Sequence, residues 1–196
     1  MLFAISGSQG VGKSTLIEAL SQQFPAVMRK TSRSILADWG VTLSEVNNDR
    51  ALTIKFQDEI LARKIADETE FVNSNNVYLT ERTYADLFVY ALVAIGKDNE
   101  YSEWLNDYYQ RCLKAQTTYG GIIYLSRVGE FKPENDGVRA VNSHYSFMVD
   151  TMMYSYTHGF STQQRDEAVV PIINIMDLDM DVRTSSVTNF IATITE

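Results

Sequence analysis

Residues Gly7 to Thr15 read GSQGVGKST. Gly7 and Gly12 bracket Ser8, Gln9, Gly10 and Val11, and Lys13, Ser14 and Thr15 follow, so the stretch fits the pattern G-x-x-x-x-G-K-[ST]. Glycines at those places let the backbone wrap an anion and turn successive N–H groups inward. A helix starting at Lys13 adds the positive end of its dipole. In such a frame the lysine reaches the β- and γ-phosphates as a point charge, and the Ser14 hydroxyl ligates Mg²⁺. The chemistry is a grip on the triphosphate tail of a nucleotide such as ATP.

Magnesium at such a loop also takes a carboxylate from the end of a second buried strand. The segment GIIYLSR ends in Ser126 and Arg127 and offers no acid. The segment VYLTER ends in Glu81 followed by Arg82, which makes Glu81 the expected metal partner of Ser14 and aims Arg82 at phosphate. A plainer reading stands beside it, in which Glu81 is a helix N-terminal acid and Arg82 pairs with Asp86 one turn on. Further along, Arg127 and Arg139 bracket VGEFKPENDGV, with Lys132 between them. A loop of that composition over about residues 126–140 is expected to act as a lid that closes on the phosphates and excludes water. An ordinary solvated loop is the alternative.

On the acceptor side the sequence offers VMRKTSRS, with Arg29, Lys30 and Arg33 and no acid. A hydroxyl acceptor wants a carboxylate base within hydrogen-bond reach. A cluster of cations instead suits an acceptor that already carries a phosphate, although Asp86 leaves a base available. Gln57 beside Phe56 is expected to read a base edge while the ring stacks, unless the glutamine is simply exposed. His144 and His158 attract no role. The methionines and tyrosines of FMVDTMMYSY are expected to pack, and Cys112 to be buried and inert.

These residues are set in a chain of 196 residues, most simply one domain spanning 1–196. Apolar runs at 2–6, 26–28, 76–80, 121–125 and 168–176 alternate with helical patterns from Lys13 to about Gln23, Ser34 to Trp39, Asn48 to about Phe71, and Tyr84 to Ile95. Further helical patterns cover Tyr101 to Gln116, Val141 to Tyr156, and Val187 to Ile194. Tyr84, Leu87, Phe88, Ala91, Leu92 and Ile95 follow the helical spacing i, i+3, i+4, i+7, i+8, i+11. Strands alternating with helices predict an α/β fold, a parallel sheet covered on both faces.

A net charge of −8 argues against a surface coated for nucleic acid, without forbidding a local basic pocket. A small nucleotide or nucleoside is the favoured partner, and a homodimer is compatible with the composition. No apolar run approaches the ~20 residues of a membrane span. MLFAIS lacks the basic start of a secretory leader, and a single cysteine excludes an internal disulfide. The expected compartment is the cytoplasm.

The segment TERTYADLFVYA resembles the Glu-Arg-Ser or Asp-Arg-x segment of deoxynucleoside and thymidylate kinases, which share the phosphate loop. It is also similar to the Asp-Arg-x-x-x-Asp-x-x-x-Tyr pattern of NadR-like kinase domains, a group frequent in phage genomes. Glu81, Arg82, Asp86 and Tyr90 occupy those positions, with glutamate for the more usual aspartate and Thr83 where serine is common. TSRSILADWG, FQDEILARK and DGVRAV, which carries Arg139, fit the same group. The resemblance implies a three-layer fold and phosphoryl transfer from ATP to a nucleoside, a nucleotide or a close relative. Deoxynucleoside kinases of this kind place a glutamate base just after the second strand. Its absence here favours a nucleoside monophosphate as acceptor. Two other readings remain open: a kinase acting on hydroxyls of nucleosides, modified bases or DNA ends, and a non-catalytic ATP-binding switch. The guanine-reading Asn-Lys-x-Asp is absent, so ATP is the expected donor.

Overall fold

A computed structural model describes residues 1–27, 31–128, 142–162 and 169–196. Five strands pair in parallel throughout: β1 (Leu2–Ser6), β2 (Ala26–Val27), β3 (Tyr78–Glu81), β4 (Gly121–Leu125) and β5 (Ile172–Ile175), in the order β2-β3-β1-β4-β5. Strands covered on both faces read as unbroken apolar runs, and every residue of β1 and β4 is buried.

Alternation along β1 sends its side chains to two cores. Leu2 and Ala4 meet Leu61, Phe88, Tyr108 and Phe160 from helices α4 (Arg50–Val72), α5 (Tyr84–Ile95), α6 (Ser102–Gln116) and α7 (Ser143–Thr162). Phe3 and Ile5 meet Leu16, Ile17, Val187 and Ile191 from α1 (Lys13–Leu20) and α8 (Met180–Thr195). The three-layer α/β architecture expected from the sequence is the one observed. Two short helices, α2 (Thr31–Trp39) and α3 (Leu43–Asn48), close over α4 through Ile35, Val46 and Phe56.

In an all-parallel sheet the carboxyl ends of the strands share one edge, and ligands bind outside that edge. The phosphate loop leaves β1 there, α2 follows β2 there, Glu81 ends β3 there, and Arg127 comes just after β4. No helix among the described residues is long and apolar enough to cross a membrane.

The long helix starts later than its apolar pattern suggests. Asp49 is extended, with φ −122° and ψ 113°, and separates α4 from α3, a short helix that the sequence reading did not expect. Its carboxylate accepts from the Leu52 N–H at 3.0 Å and caps α4. Thr42 and Glu45 form a capping box that starts α3. The third strand runs one residue further than read from the sequence, so Glu81 pairs inside the sheet. The lid expected at 126–140 is described only at residues 126–128.

Asp49→Ala is expected to lower unfolding free energy by about 1 kcal/mol in urea denaturation, the usual worth of such a cap. A single continuous helix across residue 49 would predict the opposite sign, because alanine propagates a helix better than aspartate.

Candidate active site

The phosphate loop is built from backbone that only glycine adopts readily. Gly7, Gly10 and Gly12 have φ of 134°, 84° and 93°. A Cβ on Gly7 would also lie 2.5 Å from the Leu125 carbonyl oxygen, so the loop can pass β4 only without a side chain there. Gly12 is the N-cap of α1, and no side chain caps that helix. Its first N–H groups therefore have no side-chain cap, and such groups can take an anion. Lys13 is 4% exposed and donates to the Gly7 carbonyl at 2.9 Å and the Ser8 carbonyl at 2.7 Å. Its ammonium thus lies folded across the loop.

Arg183, which the sequence did not single out, braces this loop from α8. It donates to the Val11 carbonyl at 2.8 Å and to the Asp177 carbonyl at 2.6 Å. Its guanidinium nitrogen would be 2.9 Å from a Cβ at residue 12, so glycine there also makes room for the brace.

Parallel pairing of Ile5 with Glu81 brings the end of β3 beside the loop. The Ser14 hydroxyl donates to Glu81 Oε2 at 3.0 Å. A hydroxyl and a carboxylate are hard oxygen donors of the kind Mg²⁺ takes, alongside waters and phosphate oxygens. Among the described residues no group of three or more His, Cys, Asp or Glu could hold a metal by itself. Ser14 and Glu81 could therefore hold an ion only together with ligands from outside the chain.

Arg82 has φ 73°, and among the described residues no other non-glycine lies in the left-handed region. Such strain costs on the order of 1–3 kcal/mol and is kept where the surroundings fix it. The Arg82 N–H donates to the Ile5 carbonyl at 2.9 Å, and the guanidinium reaches the Gly7 carbonyl at 3.4 Å while lying 5.1 Å over the Tyr90 ring. Burial disfavours the cation, but Tyr90, Asp86 and Glu81 outweigh it and raise the pKa above the ordinary arginine value.

Asp86 is fully buried and turned inward. It accepts from Ser6 Oγ at 2.6 Å and Thr83 Oγ1 at 3.1 Å, and it closes a capping box with Thr83 at the start of α5. The Arg82 guanidinium stands 3.9 Å from it. Arg33 is exposed in the first turn of α2, and Arg127 is half-buried just beyond β4. Gln57 is buried on α4, but the expected stacking by its neighbour is corrected: the Phe56 ring is core, 3% exposed and edge-on to Trp39. Ser8, Gln9, Tyr90, Tyr145, Ser146 and Val149 line a hollow beside the loop. Arg139, Lys132, Arg29 and Lys30 lie outside the described residues. Cys112 is buried, and burial pushes its thiol well above the usual range.

A family model described as an AAA domain matches residues 2–165. The chain belongs to that family. Its fold is similar to that of a NadR protein in complex with NR, with a TM-score of 0.71 at 13% identity. That match covers 96% of this chain and 51% of the other, so the chain spans about half the length of that protein. It is also similar to thymidylate kinase from Candida albicans, with a TM-score of 0.66 at 14% identity, covering 100% of this chain and 93% of that one. At such identities the shared property is the fold, the kinase-like phosphate-loop fold that the sequence motifs resemble. No curated protein sequence matches the chain.

Glu81→Gln and Ser14→Ala are each expected to weaken ATP binding in the presence of Mg²⁺ by at least about tenfold, the usual effect of losing a metal-orienting group. Affinity measured by calorimetry in excess chelator stays near wild type. Equal losses with and without Mg²⁺ would contradict the metal assignment.

Proposed function

We propose that the chain is a Mg²⁺-dependent phosphotransferase that moves the γ-phosphate of ATP to a nucleotide, best a (deoxy)nucleoside monophosphate. The observation that carries this reading is the 3.0 Å contact between Ser14 and Glu81, with the Arg82 guanidinium at the Gly7 carbonyl beside it. A hydroxyl–carboxylate pair, a glycine loop and a guanidinium thus share one edge of the sheet, which is more than a bare anion loop requires.

Phosphoryl transfer is mostly positioning and charge neutralisation. In this reading the loop amides of residues 7–15 hold the triphosphate, and Lys13 leaves the Gly7 and Ser8 carbonyls for the β- and γ-phosphates. Ser14 and Glu81 would hold Mg²⁺, which would supply charge neutralisation to the phosphates. Arg82 neutralises the charge that spreads over the transferred group, Arg127 just beyond β4 adds to it, and Arg139, outside the described residues, is proposed for the same role. The acceptor oxygen attacks phosphorus in line as the bond to the β–γ bridging oxygen breaks.

Arg33 and Gln57 are the residues proposed for acceptor binding, Arg33 for a phosphate and Gln57 for a base. The inward position of Asp86 supports a phosphate acceptor. With its oxygens engaged by Ser6 and Thr83, it is poorly placed to deprotonate a hydroxyl. Asp86 then acts on the acceptor only by setting the start of α5 and Arg82. One structural neighbour, a thymidylate kinase, takes its name from a nucleotide acceptor of this class.

Radiolabelled ATP offered with nucleosides, monophosphates and DNA is expected to label monophosphates. Label found only on nucleosides or DNA would move the acceptor to a hydroxyl, and tight ATP binding without any transfer would leave a nucleotide switch. Lys13→Ala abolishes transfer. Arg33→Ala raises the acceptor KM roughly 10- to 100-fold, the loss of one charge-assisted contact, with kcat little changed.

A further inference from the structure

A charged network lies under the end of β3 that neither the motif nor the proposed chemistry uses. Lys64, on α4, is 8% exposed, and Glu68 one turn on is 2% exposed. The ammonium has three acceptors: Glu68 Oε1, Thr80 Oγ1 at 3.3 Å and the Glu81 carbonyl at 3.2 Å. The carboxylate also accepts from Thr80 Oγ1 at 2.6 Å, from the Tyr84 hydroxyl at 2.8 Å and from the Tyr119 hydroxyl at 3.1 Å. Burial first, and Glu68 second, raise the Tyr84 phenol well above its ordinary value, so it remains a donor. A buried ion pair is a poor way to gain stability, because desolvating both charges offsets their attraction. Its use here is better sought in what it holds.

What it holds is one peptide group. The carbonyl of Glu81 and the N–H of Arg82 belong to the same planar unit. Lys64 takes the carbonyl end, and the Ile5 carbonyl takes the N–H end at 2.9 Å. Fixing both ends holds one side of the φ torsion of 73° at Arg82, and the Thr83–Asp86 capping box holds the other. That conformation sends the two side chains to their targets, Glu81 to Ser14 and Arg82 to the Gly7 carbonyl.

We propose that Lys64 is a positioning residue, holding the Glu81–Arg82 peptide so that the carboxylate meets the metal at Ser14 and the guanidinium meets the phosphate loop. The inference rests on the site reading given above for Glu81 and Arg82. Without the Lys64 donor the peptide can rotate out of the strained conformation, and both side chains lose their aim while the nucleotide cradle on β1 is untouched.

The test is the Mg²⁺ dependence of binding of a fluorescent ATP analogue, which needs no turnover. Lys64→Met is made together with Glu68→Gln, so that no carboxylate is left buried without its cation. The paired variant is expected to need about ten- to a hundredfold more Mg²⁺ for half-maximal enhancement, a larger change than any loss of affinity it shows in excess chelator. A folded variant with wild-type Mg²⁺ dependence would overturn the proposal. Should the pair fail to fold, Lys64→Arg keeps the charge beside Glu68 but spreads its donors in a rigid fork. It is expected to show the same rise in Mg²⁺ requirement, and a wild-type requirement would again overturn the proposal. A wild-type chain whose affinity ignores Mg²⁺ would remove the metal role of Glu81, and this inference with it. That failure shows in the unmodified protein, before any variant is compared.

Discussion

The parallel ladder between β1 and β3 fixes the distance on which the site depends. Ile5 pairs with Glu81, and nine residues after Ile5 the chain presents Ser14 at the start of α1. A slip of one residue in that register would turn Glu81 to the other face of the sheet. The register is held by burial: Leu2, Phe3, Ala4 and Ile5 are wholly inaccessible, with a core on either side. Position at the site is therefore a consequence of packing far from it.

Around that ladder, polar groups carry the finer adjustments. Arg183 ties the phosphate loop to the turn before α8, Lys64 pins the peptide after Glu81, and Asp86 joins the end of β1 to the start of α5 through Ser6. Each is a charged side chain almost without exposure, and each is engaged by named partners. Leaving any of them half-paired costs more than a neutral core would. They persist beside the one edge of the sheet where backbone must adopt shapes that packing alone does not favour. The glycine conformations of the loop and the left-handed Arg82 are those shapes.

How far the sequence discloses all this depends on how local the signal is. The phosphate loop is written in consecutive residues, and its strand-loop-helix setting is visible at once. The strand Gly121–Leu125 is legible because a strand buried on both faces is an unbroken apolar run. Glu81 could be found because it ends such a run. The short helix α3 before Asp49 was missed, because six residues carry little periodicity, although Thr42 and Glu45 have the spacing of a capping box. Phe56 beside Gln57 suggested a stacking platform, and only the covering helices α2 and α3 make it core. Lys64 with Glu68, and Arg183, were invisible for the opposite reason. Charges at helical spacing read as solvated faces, and only the placement of β3 over α4, and of α8 against the loop, buries them.

The most direct measurement of the central claim is a crystal structure with Mg²⁺, a non-hydrolysable ATP analogue and a nucleoside monophosphate. The account predicts the triphosphate in the loop of residues 7–15 and the metal on Ser14 Oγ, with Glu81 bound to it directly or through water. Arg82 turns to the γ-phosphate, and the acceptor phosphate lies in line with it. A metal held away from Glu81, with Arg82 still on the Gly7 carbonyl and no acceptor in line, would contradict it.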